Sequence, residues 1–482
     1  MNSKYGKLLK NMGLLTISNF GSKVLTFLLV PLYTKILSTS EYGTYDIVYT
    51  TIWLVMPIIS LNIVESVVRF LLDGKYGEKD IMYIGMKYTL ISIFIFSVLV
   101  VFNTMFNIVP SLLGYAVYLI LFYSSQILYT LFTQYARGIN RVANLAFAGI
   151  LNTISTIILN IIFLVVLRMG LDGYFLANII GLIIPVLYLI FITKIAYRKK
   201  SKEKQKSLER EMIVYSTPLI IESTSWWGIT ASDHLIITIL CGFSENGIYS
   251  VAYKIPSILN ILVGVFNQAW ILSIVKEIKN KNFNFLMQTY SLISLLTSVS
   301  CSVLIFFNKI IASIMFSGEF YNAWRFAPFL MVSTVFASLI TVLGGYFSAI
   351  KDSKTIAFTT LCGAIINTVL NFSLVFLIGP MGAAIATLIA YIIVWYLRLL
   401  KIKKEINFKS KNIVKEVFSY ILLLLQCVTM LLIEGGLLYI AQGIIVFSII
   451  IIHHNELSRI LKNLINKLLK NRNTHVKKIF KY

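Results

Sequence analysis

Charge is what this sequence has least of. Only 13% of its 482 residues are Asp, Glu, Lys or Arg, against about 25% in soluble domains, while 58% are hydrophobic and the mean hydropathy is +0.82. That excludes a soluble globular chain and implies a polytopic membrane protein. Acidic residues are the scarcer kind: 20 Asp and Glu stand against 43 Lys and Arg, a net charge of +23. An excess of this size would suggest nucleic acid in a soluble protein, but membrane proteins collect Lys and Arg in cytoplasmic loops for topological reasons, and no nucleic-acid partner is expected. Cysteine is sparse too. Cys241, Cys301, Cys362 and Cys427 form no CxxC pair and have no His at ligand spacing, so neither a disulfide framework nor a metal site is indicated. The basic N-terminus (Lys4, Lys7, Lys10) lacks a small-x-small cleavage site after its long apolar run and reads as a retained first span.

Long apolar runs are what the chain does contain. A span needs about 20 apolar residues, and fourteen candidates run near 11–35, 42–70, 81–107, 111–136, 142–167, 173–197, 213–240, 246–275, 285–307, 322–350, 355–378, 381–400, 413–433 and 435–452. Those flanking Glu434 are either a hairpin or one re-entrant piece, so twelve is the floor and fourteen the expectation. Charge tests the count independently. With the N-terminus inside, about 37 of the 43 basic residues fall in inside loops and tails, the exceptions being Lys23, Lys35, Arg168, Lys254, Lys309 and Arg325. Both termini are then cytoplasmic.

The charged break at Arg198–Arg210, seven of whose thirteen residues are Lys or Arg, divides the chain. The expected organisation is an all-α membrane protein with a first lobe of six helices over 1–197, a basic connector at 198–212, a second six-helix lobe over 213–404, two further helices over 405–452 and a basic tail over 453–482. In the tail, Leu457, Ile460, Leu461, Leu464, Ile465, Leu468 and Leu469 recur at helical spacing opposite Arg459, Lys462, Lys467 and Lys470, the pattern of a helix lying on an anionic leaflet.

The two lobes repeat. Ser40-Glu41-Tyr42-Gly43-Thr44-Tyr45 and Tyr49 open the second span, as Ser244-Glu245-Asn246-Gly247-Ile248-Tyr249 and Tyr253 open the eighth, with Thr34 and Thr238 matching upstream. A looser echo sets Asn160, Gly170 and Gly173 against Asn371, Gly379 and Gly382. Copies of six spans share one orientation, so the lobes should be related about an axis along the membrane normal with a site between them. The expectation is a transporter.

The YGxY opening of the second span, the N-x7-GPMGAAIAT stretch at Asn371–Thr387 and the layout of six, six and two spans resemble the polysaccharide-unit flippases of the multidrug, oligosaccharidyl-lipid and polysaccharide exporter superfamily. The resemblance implies two six-helix lobes in a V, moving an undecaprenyl-pyrophosphate-linked oligosaccharide from the cytoplasmic to the outer leaflet by alternating access. It also implies work alongside glycosyltransferases and a polysaccharide polymerase in a bacterial cytoplasmic membrane.

Polar residues inside spans usually face a cavity, and here they form stripes. Thr16, Asn19, Lys23 and Thr26 share a face of the first span, and Asp46, Thr50 and Trp53 follow in the second. Tyr215, Glu222, Trp226 and Asp233 align in the seventh; Ser250, Lys254, Ser257, Gly264 and Gln268 align in the eighth. Lys23 and Lys254 are the candidate pyrophosphate ligands, since lysine serves phosphate as a point charge; alternatively Lys254 snorkels outward or pairs with Asp46 or Asp233. Asp46, Glu222 and Asp233 could bind a coupling proton or sodium ion, or only balance the lysines; no other cofactor is expected. Glu65 and Arg69, four apart, make an intrahelical pair or a gate, and Arg325 is a candidate outer-gate residue. Pro31, Pro57, Pro218 and Pro256 permit kinks. Trp226, Trp227, Trp270, Tyr45 and Tyr249 either stack on sugar or anchor at the interface.

Two other functions stay open. A cation-coupled exporter of small molecules would favour acidic residues without buried lysines and would stop at twelve spans. A membrane polymerase or glycosyltransferase would need a large outside loop or activating carboxylates at the membrane face, which the sequence does not offer.

Overall fold

A computed structural model of the chain describes residues 27–193, 202–279, 282–350, 352–406, 413–454, 456 and 458. Among these residues every regular element is a helix. Among the described residues ten helices are long and apolar enough to cross a membrane, and a bent pair makes an eleventh.

The first bundle comprises α1 (Val30–Ile36), α2 (Thr39–Ile59), α3 (Ile63–Asp73), α4 (Glu78–Phe106), α5 (Ala116–Gly138), α6 (Val142–Asn160) and α7 (Gly170–Thr193). Its helices pack mainly through α5 and α7. The start of α2 is fixed by a capping box, in which Ser38 accepts from the Glu41 N–H and the Glu41 carboxylate accepts from the Ser38 N–H, two of the orphan donors of a helix start.

The second bundle begins with α8 (Lys202–Thr230), α9 (Ser232–Cys241), α10 (Phe243–Ala252) and α11 (Lys254–Lys279) and continues with α12 (Phe283–Phe306), α13 (Asn308–Met315), α14 (Ala327–Ala349), α15 (Ser353–Ile378) and α16 (Pro380–Glu405). Its centre is α14, the most buried of the apolar helices. The remaining pair, α17 (Ile413–Leu432) and α18 (Gly435–Ile452), pack on each other and on α12. Each is long and apolar enough to cross by itself, so Glu434 caps the second arm of a hairpin and does not tip a re-entrant loop.

Spans expected to be continuous are broken where the repeat helices meet. The second span bends by 59° between α2 and α3, three to five residues past Pro57, where Leu61 and Asn62 have positive φ. The seventh breaks at Ala231, and the eighth at Tyr253, three residues before Pro256. Pro31 lies in the first turn of α1, whereas α8 runs through Pro218. A proline denies the preceding turn a hydrogen bond, and the break at Tyr253 falls within the turn that Pro256 leaves unbonded, whereas α2 runs through Pro57 and ends only beyond it. The looser sequence echo has a structural counterpart as well: Gly170 and Gly379, at the starts of α7 and α16, both have positive φ.

Candidate functional site between the two bundles

The helix starts that repeat in sequence meet in space, α2 against α10. A Cβ on Gly43 would lie 1.9 Å from the Phe243 carbonyl oxygen, and one on Gly247 1.9 Å from that of Thr39. Only glycine allows two backbones this close. Ser244 Oγ lies 2.7 Å from Thr39 Oγ1, which donates to Glu319 at 3.0 Å.

One turn deeper, His234 on α9 places Nδ1 2.8 Å from Asp46 Oδ2 on α2. The same nitrogen is 3.1 Å from both Asn246 Oδ1 and Ser250 Oγ. Asn246 donates to Asp46 at 3.2 Å and to the Gly43 carbonyl at 3.3 Å. This lock joins the bundles through largely buried polar groups, each of which finds a partner, as burial requires.

Beside the lock lies a cavity of about 420 Å³. Its aromatic wall is Tyr49, Trp53 and Trp227, with the Trp227 indole held by the Thr50 carbonyl at 3.0 Å. Ser60, Asn62, Thr130 and Ser223 contribute hydroxyl and amide groups, and Glu65 contributes the one carboxyl group among the described lining residues. Asn62 also donates across the bundles to Ser223 at 3.3 Å.

At the far end of the cavity a second set of contacts ties α8 to the first bundle. Ser66 donates to the Met212 carbonyl at 2.7 Å. Glu211 accepts from the Tyr76 hydroxyl at 2.6 Å and lies 3.5 Å from Lys75; Glu209 accepts from Tyr88 and Lys87, each at 2.7 Å. The Tyr76 hydroxyl and the Lys75 ammonium hold the Glu211 carboxyl below its usual range. Contacts between the bundles thus flank the cavity at both ends.

The sequence expectations fare unequally against this geometry. Asn19, Lys23 and Thr26 lie outside the described residues, as does the tail over 457–470 apart from Ser458, and only the backbone of Glu222, Trp226 and Gln268 is described. Thr50 and Trp53 line or border the cavity, whereas Asp46 and Ser250 belong to the lock. Lys254 pairs with neither Asp46 nor Asp233. It is half-buried, close enough to the Tyr49 and Tyr174 hydroxyls to interact electrostatically with both, and has no hydrogen bond or ion pair from its ammonium among the described residues. Ser257 donates to the Lys254 carbonyl at 2.5 Å.

Other expectations are corrected. The stripe from Tyr215 to Asp233 assumed one continuous helix, and the break at Ala231 turns Asp233 into the second bundle. There its Oδ2 accepts from Tyr249 and Tyr253, each at 2.7 Å, and lies 3.4 Å from Thr387 Oγ1. Glu65 does not pair with Arg69. It accepts from Gln134 at 2.9 Å, while Arg69 reaches one turn onward to Asp73 at 2.9 Å, because the bend at Asn62 aims Glu65 at α5. Arg325 is exposed, with its guanidinium 5.8 Å from the Trp324 ring; the contact to Thr39 of the first bundle is made by Glu319, six residues earlier. Tyr45 and Tyr249 are buried within their own bundles, against Tyr174 and Asp233, and Trp270 stacks between Phe266 and Phe285, so none of the three faces sugar or the interface.

His234 is the residue the sequence reading passed over. Its signal was present, since an ionisable group inside an apolar stretch is functional by default, but it follows Asp233 and so falls off the assigned stripe.

Comparison with known proteins places this architecture. The sequence pattern of the family described as polysaccharide biosynthesis protein matches residues 8–271. The chain belongs to that family. This member is similar to an uncharacterized membrane protein of Methanocaldococcus jannaschii, 23% identical over 414 residues that cover 81% of this chain and 97% of that one. It is also similar to the probable low-salt glycan biosynthesis flippase Agl15 of Haloferax volcanii, 25% identical over 392 residues covering 78% and 79%. Among solved structures, the lipid II flippase MurJ in an inward closed conformation superposes with a TM-score of 0.67 at 18% identity, covering 93% of this chain and 99% of that one. An inward-facing multidrug transporter of the same superfamily gives 0.60 at 14% identity over 81% and 95%. The family member described here therefore has the fold of the multidrug, oligosaccharidyl-lipid and polysaccharide exporter superfamily and is a multi-pass membrane protein of the flippase and transporter type.

Proposed function

We propose that this polysaccharide biosynthesis protein flips an undecaprenyl-pyrophosphate-linked oligosaccharide repeat unit from the inner to the outer leaflet of a bacterial cytoplasmic membrane, with both termini cytoplasmic. The observation that carries the reading is the aromatic and hydroxyl-lined cavity between the two repeat-related bundles. Trp53, Trp227 and Tyr49 offer flat apolar faces to a sugar ring, and Asn62, Ser60, Thr130 and Ser223 offer the donors and acceptors its hydroxyls need. Lys254, beside Tyr49 and with its ammonium unpaired among the described residues, is assigned to the pyrophosphate together with Lys23. The names of two relatives, a glycan biosynthesis flippase and a lipid II flippase, support the substrate class.

Alternating access follows from contacts at both ends of the cavity. Separating Glu209 and Glu211 from the first bundle admits the head group; breaking the His234–Asp46 lock and the Gly43–Gly247 contact releases it on the other side. A vacancy of about 420 Å³ is small for an oligosaccharide with its pyrophosphate, so loading requires the bundles to part. The polyprenyl tail stays in lipid. No bond is made or broken, and glycosyltransferases and a polymerase act before and after this step.

We assign the coupling ion to Asp233. Its Oδ1 and the Asn371 Oδ1 are buried without a hydrogen-bond partner among the described residues, and Asn367 and Thr387, linked at 3.1 Å, complete an oxygen-rich neighbourhood of the type hard cations take. The coupling ion is a sodium ion or a proton.

The test is movement of a lipid-linked oligosaccharide across vesicles containing the purified protein, with Lys23 and Lys254 replaced by Gln singly and together. Loss of transport in the double variant is expected, and undiminished transport in a well-inserted one refutes the pyrophosphate role. Glu65, which brings a carboxyl group to the cavity lining, favours a second reading, a cation-coupled exporter of small organic cations. Efflux of such a cation that depends on Glu65 and is indifferent to Lys254 would decide for it.

A further inference from the structure

Away from the interface between the bundles, a second cleft of about 450 Å³ opens where α15 begins and α16 ends. Lys354, Lys401 and Lys404 stand around it, with Thr355 and Thr359, over an apolar wall of Phe358, Leu397 and Leu400. Phe358 is 64% exposed and Leu400 38%.

Behind that wall sits Arg398, 4% exposed. It donates to Thr359 and Thr360 hydroxyls at 3.1 Å and to the Ile340 carbonyl at 2.9 Å. No carboxylate lies within ion-pair distance of it among the described residues. A buried guanidinium without a counter-charge is costly and projects positive potential through Thr359 into the cleft.

Two carboxylates share the region. Asp352 accepts from the Thr355 N–H and hydroxyl, at 3.1 and 2.5 Å, and these bonds hold its carboxyl below the usual range; Glu405 lies 3.6 Å from Lys401. Four cations therefore face two anions. The sequence topology puts both helix ends on the cytoplasmic side, which explains why lysines are here. It does not explain a concave, apolar-floored site, nor a cation buried behind it.

We propose that this cleft binds an anionic phospholipid of the cytoplasmic leaflet, its headgroup phosphate between Lys354, Lys401 and Lys404 and an acyl chain along Phe358, Leu397 and Leu400. The order of groups matches such a lipid end to end: ammonium groups at the helix ends where headgroups lie, apolar side chains one turn deeper. A free phosphate would have no use for the apolar wall.

The experiment follows the thermal unfolding midpoint of the purified full-length protein in neutral detergent as phosphatidylglycerol, phosphatidylcholine or inorganic phosphate is added. Phosphatidylglycerol is expected to raise the midpoint and the other two are not. In K354Q/K401Q/K404Q the half-maximal concentration of phosphatidylglycerol should rise about tenfold or more, since each lysine near an anionic surface contributes about a factor of five. K354R/K401R/K404R should retain the wild-type response, as should K79Q/K206Q/K403Q, which removes the same charge outside the cleft. A wild-type response in the Gln triple, or an equal loss in the outside triple, overturns the proposal. Stabilisation by inorganic phosphate alone that the Gln triple abolishes reassigns the cleft to a free anion. Should the Gln triple insert poorly, K404Q alone gives the same readout from an exposed side chain.

Discussion

His234 Nδ1 and Asp46 Oδ2, 188 residues apart in the chain, lie 2.8 Å from each other across the boundary between the two bundles. The side chains are only 10% and 17% exposed, so the pair is held outside bulk water, where removing one partner strands the other. It therefore biases the protein toward the conformation in which this end is shut.

Replacing either residue with a neutral isostere, Asp46→Asn or His234→Gln, should favour opening at this end. Accessibility of a cysteine introduced at Thr39 to a membrane-impermeant thiol reagent would report it. The double variant should cost less than the sum of the singles, with a coupling of ~0.5–3 kcal/mol as for residues in one network. Strict additivity would remove the lock from the mechanism.

Gly43→Ala and Gly247→Ala each place a methyl group 1.9 Å from a carbonyl oxygen of the opposite helix. Backbone cannot move aside as a side chain can, and overpacking of this kind costs ~1–3 kcal/mol or more. Cross-linking between cysteines placed at Thr39 and Ser244, whose hydroxyls are 2.7 Å apart, should fall sharply in both variants while membrane insertion is unchanged.

Glu65 carries a different expectation from the one its sequence position suggests. Glu65→Gln should change transport through the cavity and leave the exposed Arg69–Asp73 pair intact. Arg69→Ala should cost less than ~1 kcal/mol of stability, as exposed pairs do, with transport near wild type. Equal loss in both would restore an intrahelical pair as the functional unit.

The clasp at Glu211 is sensitive to pH in a definite direction. Its carboxyl is held below the usual value by Tyr76 and Lys75, so the contact is fully present above the free glutamate pKa of about 4.3 and is lost as pH falls through the lower value of the closed state. Cysteine accessibility near Ser66 should stay constant from neutral pH down to that range and rise below it, and Glu211→Gln should remove the transition.

What the sequence by itself determined is what local sums can carry. Hydropathy over 20 residues marks a polytopic membrane protein; of the fourteen spans expected, ten helices and one bent pair among the described residues are long and apolar enough to cross. The recurrence of Ser-Glu-x-Gly-x-Tyr marks two copies, and the Asn371–Thr387 stretch marks a family that comparison then supported. The meeting of Gly43 and Gly247 was not legible there, because a repeat about a central axis puts equivalent residues at equal distances from it, and only the packing brings this pair onto the axis.

Only the tertiary structure decided which polar groups meet. Helical periodicity extrapolates a face along a continuous helix, and the helices at the interface are not continuous: Asn62 aims Glu65 at Gln134 and leaves Arg69 to Asp73, and the break at Ala231 sends Asp233 to Tyr249 and Tyr253. The rotation of α9 after that break brings His234, off the expected stripe, onto Asp46. Such pairings depend on where a helix breaks and how far the next segment turns, quantities set by packing between bundles and not by the composition of either strip of sequence.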